Sequence, residues 1–372
     1  MVNAINSGSP TVALSRKRNS RTQGLLALGA SVTRFPSTRY QGSKLKLLDW
    51  LWDGIRHLHF DSALDVFSGT SSVAYLFKVH GKTVTTNDYL SWNRQVSEAL
   101  VCNSGTQLSA TAIATLFSNT STQGGGFIEK TFKDVFYPDE ENRWLDTVAQ
   151  RVFAMPSGAQ RSLAYFALYQ ACIAKRPYNL FHRANLYMRT AVVERTFGNK
   201  ATWEKSFEEH CRGALHEAHG ALFDNGRTHR AIHGDFLDAP ENCDLVYMDP
   251  PYLNAKGTGV DYLEFYHFLE GLTEYPEWPL RYTAKYKHKP YVRRKNLWGR
   301  KDTILKAFDL ALEKFRKSMI VISYRSHGIP SIEDITGLLR RHNRKDALVS
   351  AMGYKYVLAN KSGDEVLLLS EP

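Results

Sequence analysis

Apolar positions recur along this chain with two periods, and the switching between them predicts the fold. Short apolar or β-branched runs near small or acidic residues read as strands: Ala63 to Val66, Thr83 to Thr86, a stretch within His229 to Phe236, Leu245 to Met248 and Met319 to Ser323. Between them, spacings of three and four predict helices from about Leu45 to Leu58, after the turn at Gly69, from Ile304 to Phe315 and from about Ser331 to Arg341. Strands alternating with helices build an open α/β sheet with mostly parallel strands. Two closing strand candidates, around Tyr354 to Leu358 and Glu365 to Leu369, flank the turn-like Asn360-Lys361-Ser362-Gly363-Asp364. A hairpin there gives the sheet one antiparallel strand at that edge. From about Ser104 to Leu222 the strand rhythm stops, and long helical stretches take over after a turn at Gly124-Gly125-Gly126. The expected plan is a basic flexible arm over 1–37, a core domain in two parts over 38–103 and 223–372, and an inserted helical domain over 104–222.

Composition adds limits. The 372 residues are 43% hydrophobic, enough for a sizeable core, and carry a net charge of +11, which favours an acidic polymer as partner. No apolar run approaches the ~18 residues of a membrane span. Cys102, Cys172, Cys211 and Cys243 are too scattered for a disulfide framework or a zinc site. His210, Cys211, His216 and His219 cluster with Glu208, Glu209 and Glu217, but in no ligand spacing, so they read as a solvated helix face and no metal is expected. The first acidic residue is Asp49, which makes the start of the chain a basic arm able to meet phosphates. Arg16-Lys17-Arg18 before Leu25-Leu26-Ala27-Leu28 imitates a signal peptide, and the acid-free start imitates a transit peptide. Gly24 and Gly29 interrupt the apolar part, so secretion is not expected and a cytoplasmic protein is, with organelle import open.

The chemistry centres on Leu245-Val246-Tyr247-Met248-Asp249-Pro250-Pro251-Tyr252. A buried strand ends in an acid, two prolines and an aromatic, where ligands of open α/β sheets bind. An exocyclic amine on a base is a weak nucleophile because its lone pair is delocalised. A carboxylate from Asp249 and a carbonyl from Pro250, accepting its two N–H bonds, favour a more tetrahedral nitrogen ready to attack a methyl donor. Pro250 and Pro251 stiffen the backbone, and Tyr252 offers a face on which a base lifted from a duplex can stack. A rigid turn is the plainer reading.

Other stretches suit a second substrate. Asp65-Val66-Phe67-Ser68-Gly69, followed by a helix and a strand ending at Asp88, has the order of a nucleoside-binding βαβ unit. With Gly69 alone in the turn it suits a nucleoside sulfonium better than a dinucleotide, with Asp88 for the ribose and Asp65 for an amino group. Gly42-Ser43-Lys44 at a helix entrance can hold a carboxylate, and Asp235 and Phe236 can bind and cover a purine. Lys175, Arg176, Asn179, Arg183, Asn185 and Arg189 interleave with aromatics, a mixture that meets phosphates and base edges. Lys289, Arg293, Arg294 and Lys295 belong to the densest basic stretch, with Trp298 close by. The aromatics of the helix beginning near Asp261 recur at helical spacing and are assigned to the core.

With these motifs in this order, residues 38 to 370 resemble the Dam-like family of adenine-specific DNA methyltransferases. The resemblance implies a Rossmann-like, S-adenosylmethionine-dependent sheet with a terminal antiparallel hairpin strand and an inserted, mainly helical recognition domain. It implies a donor pocket lined by Tyr40, Lys44, Asp65, Phe67, Gly69, Asp88, Asp235 and Phe236, and a target base held by Asp249, Pro250, Pro251 and Tyr252. The product would be N6-methyladenine in double-stranded DNA, made by a monomer, with room for a cognate restriction enzyme as partner. Ser71 stands where the family often has a second glycine. Competing readings are an N4-cytosine DNA or RNA adenine methyltransferase, and a non-catalytic nucleic-acid-binding protein on the same fold.

Overall fold

The computed structural model describes residues 25–28, 31–118, 124–176, 180–191, 200–253, 257, 259–292, 296–354 and 363–372. Its strands are β1 (Leu25–Leu28), β2 (Ser31–Arg34), β3 (Ser62–Asp65), β4 (Thr83–Asp88), β5 (Arg230–His233), β6 (Leu245–Met248), β7 (Met319–Arg325), β8 (Lys345–Tyr354) and β9 (Gly363–Glu371). The last seven form one sheet in the order β5-β4-β3-β6-β7-β9-β8. The first five in that order are parallel, and β9 runs antiparallel to both of its neighbours. The expected single antiparallel strand is therefore β9, slotted inside the sheet rather than at its rim. β8 also begins earlier than the hydrophobic pattern suggests, and residues 355–362 lie outside the described set.

Alternation within the strands divides the core. Ala63, Leu245, Tyr247, Val321, Leu367 and Leu369 face one side, whereas Leu64, Val246, Met248, Ile320, Ile322 and Leu368 face the other. The helices before the insertion are α1 (Leu48–Ile55), α2 (Ser72–Val79) and α3 (Ser91–Ser97). The insertion carries α4 (Ala110–Phe117), α5 (Phe127–Thr131), α6 (Asp139–Ala154), α7 (Ala159–Lys175), α8 (Tyr187–Thr190), α9 (Lys200–Glu204) and α10 (Phe207–Ala221). Apart from the short α8 and α9, these and α11 (Tyr262–Thr273) contribute to the core on the first face, while α12 (Ile304–Lys314) and α13 (Ile332–Arg341) cover the second.

The insertion shares one core with the sheet: Phe117, Tyr137, Leu145, Tyr165 and Phe207 are buried in the same cluster as Ala63 and Val84. Local sequence sets its helix starts, with Ser109 accepting from the Ala112 N–H and Ser206 forming a capping box with Glu209.

The arm over 1–37 is corrected in part. β1 and β2 form an antiparallel hairpin whose backbone lies against α2 and α10. Phe35 is buried edge-on to Tyr75, and Ser37 donates to Glu217. Residues 1–24 lie outside the described set.

Candidate active site

Three carboxylates emerge together because their strands are parallel and in register. Asp65 closes β3 opposite Thr86 of β4 and Tyr247 of β6, Asp88 closes β4, and Asp249 follows β6 directly. Here the chain order reverses across the sheet, leaving a crevice at the carboxyl ends of the strands. A cavity of about 130 Å³ fills it. Tyr40, Lys44, Asp65, Phe67, Gly69, Asp88, Asp235 and Phe236 all line it, as do Asp249 and Pro251. Pro250 is buried and is not in the lining, and Tyr252 is half-buried with its ring edge-on to Tyr324.

The turn after β3 is shaped by backbone conformations that side chains resist. Gly69 has φ +48° and donates its N–H to Asp88 Oδ2 at 2.8 Å, while Leu90 N–H donates to Oδ1. Ser71, the N-cap of α2, also adopts the left-handed conformation, with φ 64° and ψ 20°. A non-glycine residue costs about 1–2 kcal/mol there. Its buried hydroxyl lies 2.6 Å from that of Ser97, a hydrogen bond that offsets part of the cost. The position where the resemblance implied a glycine is thus one whose backbone suits a glycine.

The wall opposite is aromatic. Tyr40 stacks on Tyr262 and Tyr266, with centroids 5.9 and 4.8 Å apart, and Gln41 N–H donates to the Tyr266 hydroxyl. A Cβ at Gly42, whose φ is +85°, would sit 2.8 Å from the Tyr262 hydroxyl. Glycine suits this position by its positive φ and by leaving room for the Tyr262 hydroxyl. Phe67, Phe236 and Trp298 meet edge-on or tilted at the other end. Asp235 is exposed and caps a short 3-10 turn, accepting from Leu237 N–H.

The electrostatics are unbalanced. Asp65 is buried and its Oδ1 has no hydrogen-bond partner. Burial, then Asp249 and Asp88, hold its carboxyl well above the usual range. Burial also raises Asp88 against the backbone N–H groups that favour its ionised form. Lys44 is the one cation among the described residues lining the cavity. Its Nζ lies 2.9 Å from Asp249 Oδ1 and 2.7 Å from Glu365 Oε1. Burial works against its charge, yet Asp249 and Glu365 outweigh that and hold its pKa well above the ordinary value. Asp249 keeps a fifth of its side chain exposed. Burial pushes its carboxyl up to about 6, with Lys44 pulling it down and Glu365 pushing it further up.

Sequence reasoning missed three residues here. Tyr262 was assigned to the core and Trp298 to a basic loop, but both line the cavity. Glu365 carried one faint signal, an acid opening an apolar run, and nothing near it in the chain points to Lys44.

The expectation for the insertion fails at four positions. Lys175 is buried, pairs with Glu141 and donates to the carbonyls of Trp203 and Lys205. Arg176 is buried over the rings of Phe136 and Phe181 and donates to the carbonyls of Leu180 and Arg183. Asn185 is buried, and Arg189 forms a two-pronged pair with Glu141. Lys175 and Arg189 are held by Glu141 of α6 and Arg176 by backbone carbonyls, so these cations are unavailable to phosphates. Arg183 is exposed, Lys289 is half-buried at the base of an exposed turn with Lys285 and Lys287, and Asn179, Arg293, Arg294 and Lys295 lie outside the described residues. The histidines of α10 also have local tasks: His210 bonds the Thr202 carbonyl and His219 accepts from Leu108 N–H.

The family model of D12 class N6 adenine-specific DNA methyltransferases matches residues 40–317. The chain belongs to this family. A type II methyltransferase, M2.HphI, of Haemophilus parahaemolyticus is 28% identical over 84% of this chain and 90% of its own length. M.CviAII of Paramecium bursaria Chlorella virus 1, also a type II methyltransferase, is 22% identical over 84% of this chain and 94% of its own. The modification methylase StsI of Streptococcus sanguinis is 23% identical over 81% of this chain but 46% of its own length. As a D12 class adenine methyltransferase the chain requires a methyl donor and a DNA substrate, which the crevice must bring together.

Proposed function

We propose that this enzyme transfers a methyl group from S-adenosylmethionine to N6 of an adenine flipped out of double-stranded DNA at one recognised sequence. We further propose that it is the modification partner of a restriction enzyme. The observation that carries the reading is Asp249: a partly exposed carboxylate at the end of β6, on the wall of a cavity also lined by the strand-end carboxylates Asp65 and Asp88.

The cavity residues fit the donor. When bound, S-adenosylmethionine supplies an electrophilic methyl on a cationic sulfur, beside a second positive charge on its amino group. Asp65, Asp88 and Asp249 outnumber Lys44, and Asp65 Oδ1 has no hydrogen-bond partner, so the site favours a cation. Phe67, Phe236 and Trp298 provide flat surfaces for a purine, and Asp88 keeps lone pairs for ribose hydroxyls.

On the DNA side, Asp249 and the Pro250 carbonyl accept the two amine N–H bonds and direct the lone pair toward the methyl. The N–C bond forms as the S–C bond breaks, and the nitrogen then releases one proton to water. Asp249 orients the amine while ionised and need not be a strong base. Tyr252 stacks on the flipped adenine, at an unstacking cost of a few kcal/mol that protein contacts offset. Arg183, Lys285 and Lys287, all exposed, meet the phosphates.

The test is transfer of a labelled methyl group to unmodified duplex DNA followed by nucleoside analysis, for wild type and Asp249→Ala. Labelled N6-methyladenine from wild type alone is expected. A labelled N4-methylcytosine product, or transfer to RNA only, would overturn the reading.

A further inference from the structure

We infer that Glu365 is a positioning residue for methyl transfer: from β9 it clamps Lys44 onto one oxygen of Asp249 and leaves the other oxygen for the amine of the base. The inference deepens the reaction proposed above and rests on it. Lys44 Nζ is shared between Glu365 Oε1 at 2.7 Å and Asp249 Oδ1 at 2.9 Å. Glu365 is wholly enclosed, its Oε1 also receives the Ser323 hydroxyl at 2.6 Å, and its Oε2 is buried without a hydrogen-bond partner.

Burying two carboxylates against one ammonium is costly, because each ion loses its hydration and one negative charge stays unmatched. A cost of this kind beside a reacting centre marks function. The same geometry revises the expectation that Lys44 holds the donor's carboxylate. Such a carboxylate would compete with two acids already in place for a single ammonium. Lys44 instead sets the charge and the angle of Asp249.

The groups that face Asp249 are Lys44, Glu365 of β9, Asp65 at the end of β3, Tyr247 of β6, and Tyr252 and Tyr262 from the segments after it. Glu365 opposes the pull of Lys44, so removing its charge hands Lys44 wholly to Asp249. Glu365→Gln keeps shape and hydrogen bonding. It should move the acidic limb of the kcat profile to lower pH and reduce kcat about tenfold, because a less basic carboxylate orients the amine less strongly. The donor KM should stay within about twofold. Lys44→Met should move the limb the other way.

The same shifts can be read without turnover, from the Asp249 carboxyl resonance of protein labelled with 13C-aspartate, assigned with Asp249→Asn. Opposite shifts in the two variants support the clamp. A resonance unmoved by Glu365→Gln, shifts of the same sign, or a loss of donor affinity with kcat preserved would overturn it. If Glu365→Gln fails to fold, Lys44→Met alone decides, and a downward or absent shift overturns the clamp. Absence of methyl transfer by the wild type would count against the proposed reaction, while the resonance still judges the clamp.

Discussion

Asp249 is held at a pKa of about 6 by burial, and its ionised form is the stronger acceptor for an amine N–H. Methyl transfer should therefore fall away below about pH 6, measured as kcat between pH 5 and 8 with donor and DNA saturating. Asp249→Ala should cost about a thousandfold in kcat and leave the melting temperature near that of wild type, because the side chain is partly exposed and Lys44 keeps Glu365 as its partner. Ser71 gives a second expectation at this scale. Ser71→Ala loses the bond to Ser97 and keeps the strained backbone, so it should destabilise by about 1–2 kcal/mol. Ser71→Gly also loses the bond but relieves the backbone, and should fall within about 1 kcal/mol of wild type in denaturant titrations. Asp249 was legible because it ends an apolar run, and Asp65 and Asp88 because they stand at the two strands of a βαβ pattern; a strand end in a parallel sheet is a place where ligands bind. Glu365 was not, because its partner Lys44 is brought to it only by the folded sheet.

Among the elements, β3 to β7, β9 and the helices α1, α2, α12 and α13 were readable from the pattern, whereas β1, β2 and α3 were not and β8 begins earlier than the pattern suggests; the insertion was marked by the loss of strand rhythm. What failed was the reading of its charges. Lys175 and Arg189 look like a phosphate-binding stretch until α6 brings Glu141 between them. That acid sits on another helix, and no local window contains the pair. Glu141→Ala should leave two buried cations short of a partner, destabilising the protein by about 3–5 kcal/mol in a thermal or denaturant melt. The exposed turn beyond α11 behaves otherwise. Tyr282 and Tyr291 bridge its base, and Lys285, Tyr286 and Lys287 project from it. Lys285→Ala with Lys287→Ala should weaken DNA binding across sequences and lower the salt dependence of log Kd by about 0.9 for each phosphate no longer neutralised. An unchanged salt slope would remove this turn from the DNA interface.

At the scale of the molecule, burial keeps several histidines neutral. His267 is lowered to about 3, and His80 and His229 to about 4, each chiefly by burial. A histidine whose folded pKa is depressed stabilises the fold above about 6.5, and that contribution is lost as pH falls toward the folded value. Asp249 and Glu270, raised to about 6 and about 7 by burial, act in the opposite sense. The imidazole resonances of the three histidines should therefore not titrate between pH 7 and 5. His80 lies flat on Trp52 at 3.6 Å, so His80→Phe should reduce whatever melting temperature is lost over that interval.

The place of β9 in the sheet has a bearing on synthesis. The strands that deliver Asp65, Asp88 and Asp249 leave the ribosome well before β9, which must then enter between β7 and β8. Until it does, Lys44 faces Asp249 without its counterweight. A nascent chain that has already made its donor pocket still lacks the final setting of its reactive carboxylate, so the timing of competence is set by the arrival of β9.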